Sequence, residues 1–178
     1  MICALIGLVL FSPLQEPLNW NGPASRVLSG KRNGHTYTVR FEHANFRASG
    51  RDIRWIKSKY EVWYPGVRDS SGLRRFFGMD GYGDEEIKTL SAVRAVARDT
   101  QLISLSVTVD GKVWPIQPRL YDDLLNPNLR GDHLTGKLAP DGNTLTVTMS
   151  GSDGGGSYKA TWTFRRHGKH SRLALQSC

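Results

Sequence analysis

Cysteine is scarce in this chain, and its two copies stand far apart. Cys3 lies among the first residues and Cys178 is the last of the 178, so the sequence predicts no internal disulfide framework. The chain also contains no G-x-S-x-G, H-E-x-x-H or C-x-x-C motif and no phosphate-binding glycine loop ahead of a lysine and a hydroxyl residue. We therefore expect no metal centre and no cofactor, and we expect a binding role rather than catalysis.

Long apolar runs are equally rare, because only Ile2 to Phe11 is uninterrupted. Ten residues are too few to span a bilayer as a helix but are typical of the apolar region of a signal peptide. We expect residues 1–15 to be such a leader, incomplete at its start because no Lys or Arg precedes the run. Residues 16–178 then form one extracytoplasmic domain, periplasmic or secreted, with no transmembrane span. The alternative is that the run forms a buried strand or short helix.

Acidic residues are outnumbered by basic ones. The chain holds 24 Lys and Arg against 16 Asp and Glu, which gives a net charge of +8 and an isoelectric point near 9.8. The excess is largest in residues 31–60, with eight basic and two acidic residues, and in residues 126–178, with seven and three. Such a field attracts anionic glycans, lipid headgroups or other polyanions, although a merely solvated surface has the same composition. The candidate binding residues in the last stretch are Arg165, Arg166, Lys169 and Arg172.

Alternating apolar and polar residues predict several strands. The segments with this period are 36–42, 105–109, 134–138, 144–149 and 158–164. Asp110 and Gly111 separate two of the apolar runs as a two-residue type I′ turn requires, and this register places Val107 opposite Trp114. Trp162 falls on the apolar side of its strand. The fold class predicted from these patterns is mainly β, an antiparallel sandwich or partly open barrel whose last strands form a meander.

One segment has helical period instead. Ile87, Leu90 and Val93 recur at the spacing of one helix face, and Asp84 can cap the start. The sequence predicts an amphipathic helix from about Asp84 to Asp99, packed against the sheet. A shorter helical turn is predicted around Leu120 to Leu125, ended by the Asn and Pro that follow.

The loop at 78–86 is the segment that most resembles a functional loop. It combines three glycines with four carboxylates, and we take Asp80 and Asp84 as candidate binding residues. Its spacing does not fit a calcium-binding loop, however, and a glycine-shaped turn leading into a capped helix explains the same residues.

These observations favour a non-catalytic binding or interaction module acting outside the cytoplasm on an anionic partner. The sequence carries no specific nucleic-acid motif. Two alternatives stay open: a hydrolase with a site near the 78–86 loop, and a β-barrel that carries a small apolar ligand in a deep pocket.

Overall fold

Strands make up most of the structure. The computed structural model describes residues 24–46, 52–57, 63–69, 72–78, 99–152 and 157–176, and for strands β3, β4 and β5 it describes the backbone alone. The strands are β1 (Ser25–Arg32), β2 (His35–Asn45), β3 (Asp52–Lys57), β4 (Trp63–Asp69), β5 (Gly72–Arg75), β6 (Thr100–Val109), β7 (Lys112–Trp114), β8 (Leu134–Leu138), β9 (Thr144–Gly151), β10 (Tyr158–Arg165) and β11 (Ser171–Gln176). Burial alternates along β2, β9 and β10, as expected when one face of a strand meets a core.

The strands form three antiparallel sheets. The first sheet has the order β1-β2-β6-β7, the second has the order β11-β10-β9-β8, and a three-stranded sheet has the order β3-β4-β5. The second sheet is a meander of four consecutive strands, as the sequence predicted for β8, β9 and β10. The prediction of a mainly β, antiparallel fold is confirmed.

Two-residue turns fix the register of the first sheet. Asp110 and Gly111 have φ values of 50° and 73°, which a type I′ turn requires, and Val107 pairs with Trp114 as predicted. Asn33 and Gly34, with φ values of 48° and 85°, join β1 to β2 in the same way. Both hairpins therefore reverse at the same end of the first sheet.

Side chains from the two four-stranded sheets share one hydrophobic core. Its largest fully buried members are Trp162, Tyr158, Phe41 and Phe164. Phe41 of the first sheet and Trp162 of the second have ring centroids 6.0 Å apart, so the two sheets are in direct contact. The predicted inward position of Trp162 is confirmed, and its indole Nε1 donates to the Leu120 carbonyl at 2.7 Å.

The two sheets also meet at the edges formed by β1 and β8. Arg32 Nη1 donates to the Leu138 carbonyl at 3.0 Å, and the Tyr37 hydroxyl donates to the Gly136 carbonyl at 3.1 Å. A Cβ at Gly136 would lie 2.7 Å from the Tyr37 hydroxyl oxygen, so a larger residue at this position would force the Tyr37 side chain to shift. We call this line of contact the seam.

The helices differ from expectation. The residues that the structure describes contain no α-helix, and the predicted helix from Asp84 to Asp99 is not confirmed. Residues 84–98 of that prediction lie outside the described residues, and Asp99 forms a bend before β6. The proposed leader at 1–15 and the 78–86 loop beyond Gly78 lie outside them as well.

The helical turn predicted for Leu120 to Leu125 is wrong over most of its length. A single 3₁₀ turn covers Pro118–Leu120, and a second one covers Gly131–His133. Leu124 and Leu125 are fully buried and form isolated β-bridges to Phe77 and Gln101. The backbone of these two leucines pairs with other segments instead of within a helix: the Leu125 N–H donates to the Phe77 carbonyl at 2.8 Å, and the Leu124 carbonyl accepts from the Leu102 N–H at 3.0 Å.

Candidate anion-binding face

Hydroxyl side chains cover the outer face of the second sheet. Residues directly opposite each other in an antiparallel pair lie on the same face, and the register therefore places them in rows. The rows are Thr135, Thr148, Thr161 and Leu173; Lys137, Thr146, Thr163 and Ser171; Thr144 and Arg165; and Ser150, Lys159 and Leu175. We call this surface the hydroxyl face, defined by Thr135, Thr144, Thr146, Thr148, Ser150, Thr161, Thr163 and Ser171.

The charge on the hydroxyl face has one sign. The four strands of the second sheet contain no Asp or Glu, whereas Lys137, Lys159 and Arg165 are exposed among the hydroxyl groups. None of the ion pairs in the described part of the chain includes these three cations. On the outer face of the first sheet, by contrast, Arg40 Nε lies 3.0 Å from Glu42 Oε1. The first sheet also carries an exposed cation without a described ion pair, Lys31, beside outward serines and threonines. The second sheet differs in that its strands contain no carboxylate at all.

The turn between β10 and β11 continues this positive surface. Arg165, Arg166 and Lys169 are all exposed, so the structure brings these three predicted residues together. Arg165 Nη1 donates to the Lys169 carbonyl at 3.2 Å, which fixes the turn. The backbone N–H of Arg166 donates to the Asn143 carbonyl at 2.9 Å and joins this turn to the one between β8 and β9. We call Arg165, Arg166 and Lys169 the basic turn.

Arg172 has a different environment. Its side chain points inward and forms a bidentate ion pair with Asp123, in which Nη2 donates to Oδ2 at 2.6 Å. The two side chains are only 11% and 9% exposed. Nη1 also donates to the Leu120 carbonyl at 3.3 Å, and the guanidinium lies 5.8 Å from the centroid of the Phe77 ring. Arg172 therefore ties β11 to the connection that follows β7 and does not extend the basic turn.

The two carboxylates near the basic turn accept hydrogen bonds, Asp110 from the start of β2 and Asp141 from its own turn. Asp110 accepts hydrogen bonds from the Thr36 backbone N–H at 2.8 Å and from His35 at 2.7 Å. Asp141 accepts from the Asn143 backbone N–H at 3.0 Å. These bonds to the charged form lower the pKa of both carboxyl groups. Both acids stay ionised, and the charge of Arg166 also lowers the pKa of Asp110, so this carboxylate lies within electrostatic reach of the basic turn.

A cleft opens beside the seam, where the hydroxyl face meets the first sheet. Its volume is about 400 Å³, and its lining consists of Arg32, Lys137, Ala139, Pro140, Thr144 and Thr146. Sequence analysis did not select Arg32 or Lys137. The outward position of Lys137 could have been inferred from the alternation of β8, but the approach of Arg32 could not, because it donates to a residue 106 positions away.

Asp80 and Asp84, the remaining candidate residues, lie outside the described residues. Within the described ranges no group of three or more His, Cys, Asp and Glu side chains is arranged to hold a metal ion. No helix in those ranges has the length and apolar character needed to cross a membrane.

Comparison with protein-family models, curated proteins and solved structures finds no match for this chain. Its function must therefore be argued from the hydroxyl face, the basic turn and the cleft.

Proposed function

We propose that this chain is a β-sandwich binding module that holds an anionic glycan on the hydroxyl face and the basic turn, in the periplasm or outside the cell. The observation that carries the proposal is a four-stranded sheet with hydroxyl groups and cations on its outer face and no carboxylate in its strands. Threonine is common on solvent-facing strands, so the hydroxyl groups alone would not indicate binding. The support comes from the exposed cations among them together with the absence of any carboxylate in these four strands.

The chemistry of the face favours a glycan over other polyanions. Binding of single-stranded nucleic acid relies on exposed aromatic rings for base stacking. The aromatic residues of the second sheet, Tyr158, Trp162 and Phe164, all point into the core. Hydroxyl groups in rows can donate to and accept from sugar hydroxyls, while the cations meet sulfate, phosphate or carboxylate groups. A lipid surface would use the apolar residues instead, and of these only Leu173 and Leu175 are exposed on this face.

The two alternatives receive less support. A carrier of a small apolar ligand needs a deep apolar pocket, but the space between the sheets is filled by the aromatic core around Phe41 and Trp162. A hydrolase near the 78–86 loop depends on Asp80 and Asp84, and the described residues add nothing to that hypothesis.

A direct test is binding to heparin, a sulfated polysaccharide, compared with uncharged dextran. We expect binding to heparin only, with an affinity that falls as salt is raised through the range where exposed charges are screened. The variant Lys159→Gln/Arg165→Gln removes two cations beside the hydroxyl face. With about 0.5 kcal/mol for each exposed contact, affinity should fall roughly fivefold.

The matched control is Lys31→Gln/Arg40→Gln, which removes the same charge from the outer face of the first sheet. If the proposal is correct, this control binds heparin nearly as well as the unmodified protein. Equal losses for both variants would show that net charge alone drives binding. Binding that salt does not weaken would also contradict the proposal.

A further inference from the structure

The cleft beside the seam collects hydrogen-bond donors from both sheets. Arg32 comes from β1, Lys137 from β8, and Thr144 and Thr146 from β9. The Arg32 guanidinium is held in place because Nη1 donates to the Leu138 carbonyl at 3.0 Å. The other N–H groups of Arg32, the ammonium N–H groups of Lys137 and the hydroxyls of Thr144 and Thr146 can then donate to one ligand in this small volume. The described ion pairs include neither cation.

This arrangement suits a tetrahedral oxyanion better than a carboxylate. A carboxylate offers two oxygens in one plane, which a single guanidinium can satisfy from one side. A sulfate or phosphate ester presents three terminal oxygens in divergent directions, and donors from three strands can reach different oxygens at once. The cations at the cleft also supply the opposite charge that an ester requires.

The size of the cleft points to an ester rather than a free ion. About 400 Å³ lies at the lower end of the range for small-molecule sites and exceeds the space that one oxyanion needs. Ala139 and Pro140 provide apolar wall beside the polar donors, against which the carbon face of a sugar ring can pack. We propose that this cleft binds a sugar ring through its sulfate or phosphate ester. This subsite rests on the proposed function, because it names the group of the glycan that is recognised.

The test is an NMR titration of the full chain with glucose 6-sulfate, and in parallel with glucose 6-phosphate, glucose, glucuronate and inorganic sulfate. We expect the two esters to shift the backbone amides of residues 137–146, glucuronate to bind more weakly, and glucose to cause no shift. Lys137→Gln removes a charged donor and should weaken ester binding about tenfold. Thr146→Val keeps the shape and strand preference of the side chain and should weaken it about threefold.

Thr38→Val is the control, since it makes the same change on the outer face of the first sheet and should leave ester affinity unchanged. Ester shifts confined to the basic turn would overturn the assignment of the cleft. Inorganic sulfate that binds as tightly as glucose 6-sulfate would overturn the role of the sugar ring. Heparin binding without ester binding at the cleft would leave the proposed function standing and refute only the subsite. Ester binding at the cleft without heparin binding would refute the proposed function and leave the ester site standing.

Discussion

Removing either partner of the Arg172–Asp123 ion pair should destabilise the domain by about 3 kcal/mol. Breaking a buried ion pair costs about 3–5 kcal/mol, because the remaining charge stays in a poorly solvated place. Since each side chain is still about a tenth exposed, we take the lower end of that range. This loss is a sizeable share of the roughly 5–15 kcal/mol that stabilises a typical domain.

Three variants measure the contribution of this ion pair to stability separately from that of the surrounding residues. Arg172→Met keeps most of the length of the side chain and leaves Asp123 alone, while Asp123→Asn keeps the shape and leaves Arg172 alone. Asp123→Leu/Arg172→Met replaces both charges by apolar groups. An apolar replacement of a buried pair is often close to neutral, so the double variant should lose less than the sum of the two single losses.

Urea unfolding measures these differences. With a slope of about 2 kcal/mol per molar urea, each single variant should lower the midpoint by about 1.5 M. The reasoning would be refuted if the free energy of unfolding of Arg172→Met lay within about 0.5 kcal/mol of that of the unmodified protein while its affinity for heparin fell. That result would make Arg172 a surface binding residue and its inward contact with Asp123 unimportant.

Three further predictions concern the core and its margins. Burial lowers the pKa of His170 below its usual 6.5. The unfolded chain therefore takes up this proton at a higher pH than the folded chain does, and the free energy of unfolding should fall as pH drops below about 6.5. Urea unfolding between pH 5 and 7.5 should show that this free energy depends less on pH in His170→Gln. Gly151→Ala should lower the free energy of unfolding by about 3 kcal/mol, because a Cβ there would overlap the Tyr158 ring. Gly111→Ala should lower it by only about 1 kcal/mol, the cost of a side chain at a φ of 73°. Thermal unfolding of both variants compares the two losses. Trp162→Phe should cost about 2 kcal/mol in urea unfolding, since it removes both core volume and the indole hydrogen bond.

The parts of the fold that the sequence predicts correctly are those governed by neighbouring residues. Asp110 and Gly111 form the predicted turn because positive φ at both positions is a local property. The strand with Trp162 turns its apolar side inward because the period of two is local as well. Asn33 and Gly34 carry the same turn signal and could have located β1 and β2 as a hairpin.

The sequence does not predict β11, because an arginine of this strand faces the core and its leucines face solvent. Arg172 and Ala174 face the core side, while Leu173 and Leu175 are 60% and 58% exposed. A reading based on alternation expects the leucines inside. The inward arginine is accommodated by Asp123, a residue 49 positions away. Such long-range pairing cannot be inferred from a local pattern, so the sequence predicts a basic surface at this segment instead.

The same distinction separates cations that hold the fold from cations available to a ligand. Arg172 is paired, inward and bonded to two segments, so its removal should act on stability. Lys137, Lys159 and Arg165 are exposed on strands that contain no carboxylate. Like charges on one sheet repel one another and oppose folding. In the proposed complex an anionic glycan would supply the opposite charge, which is why we propose these three residues, rather than the buried arginine, as binding residues.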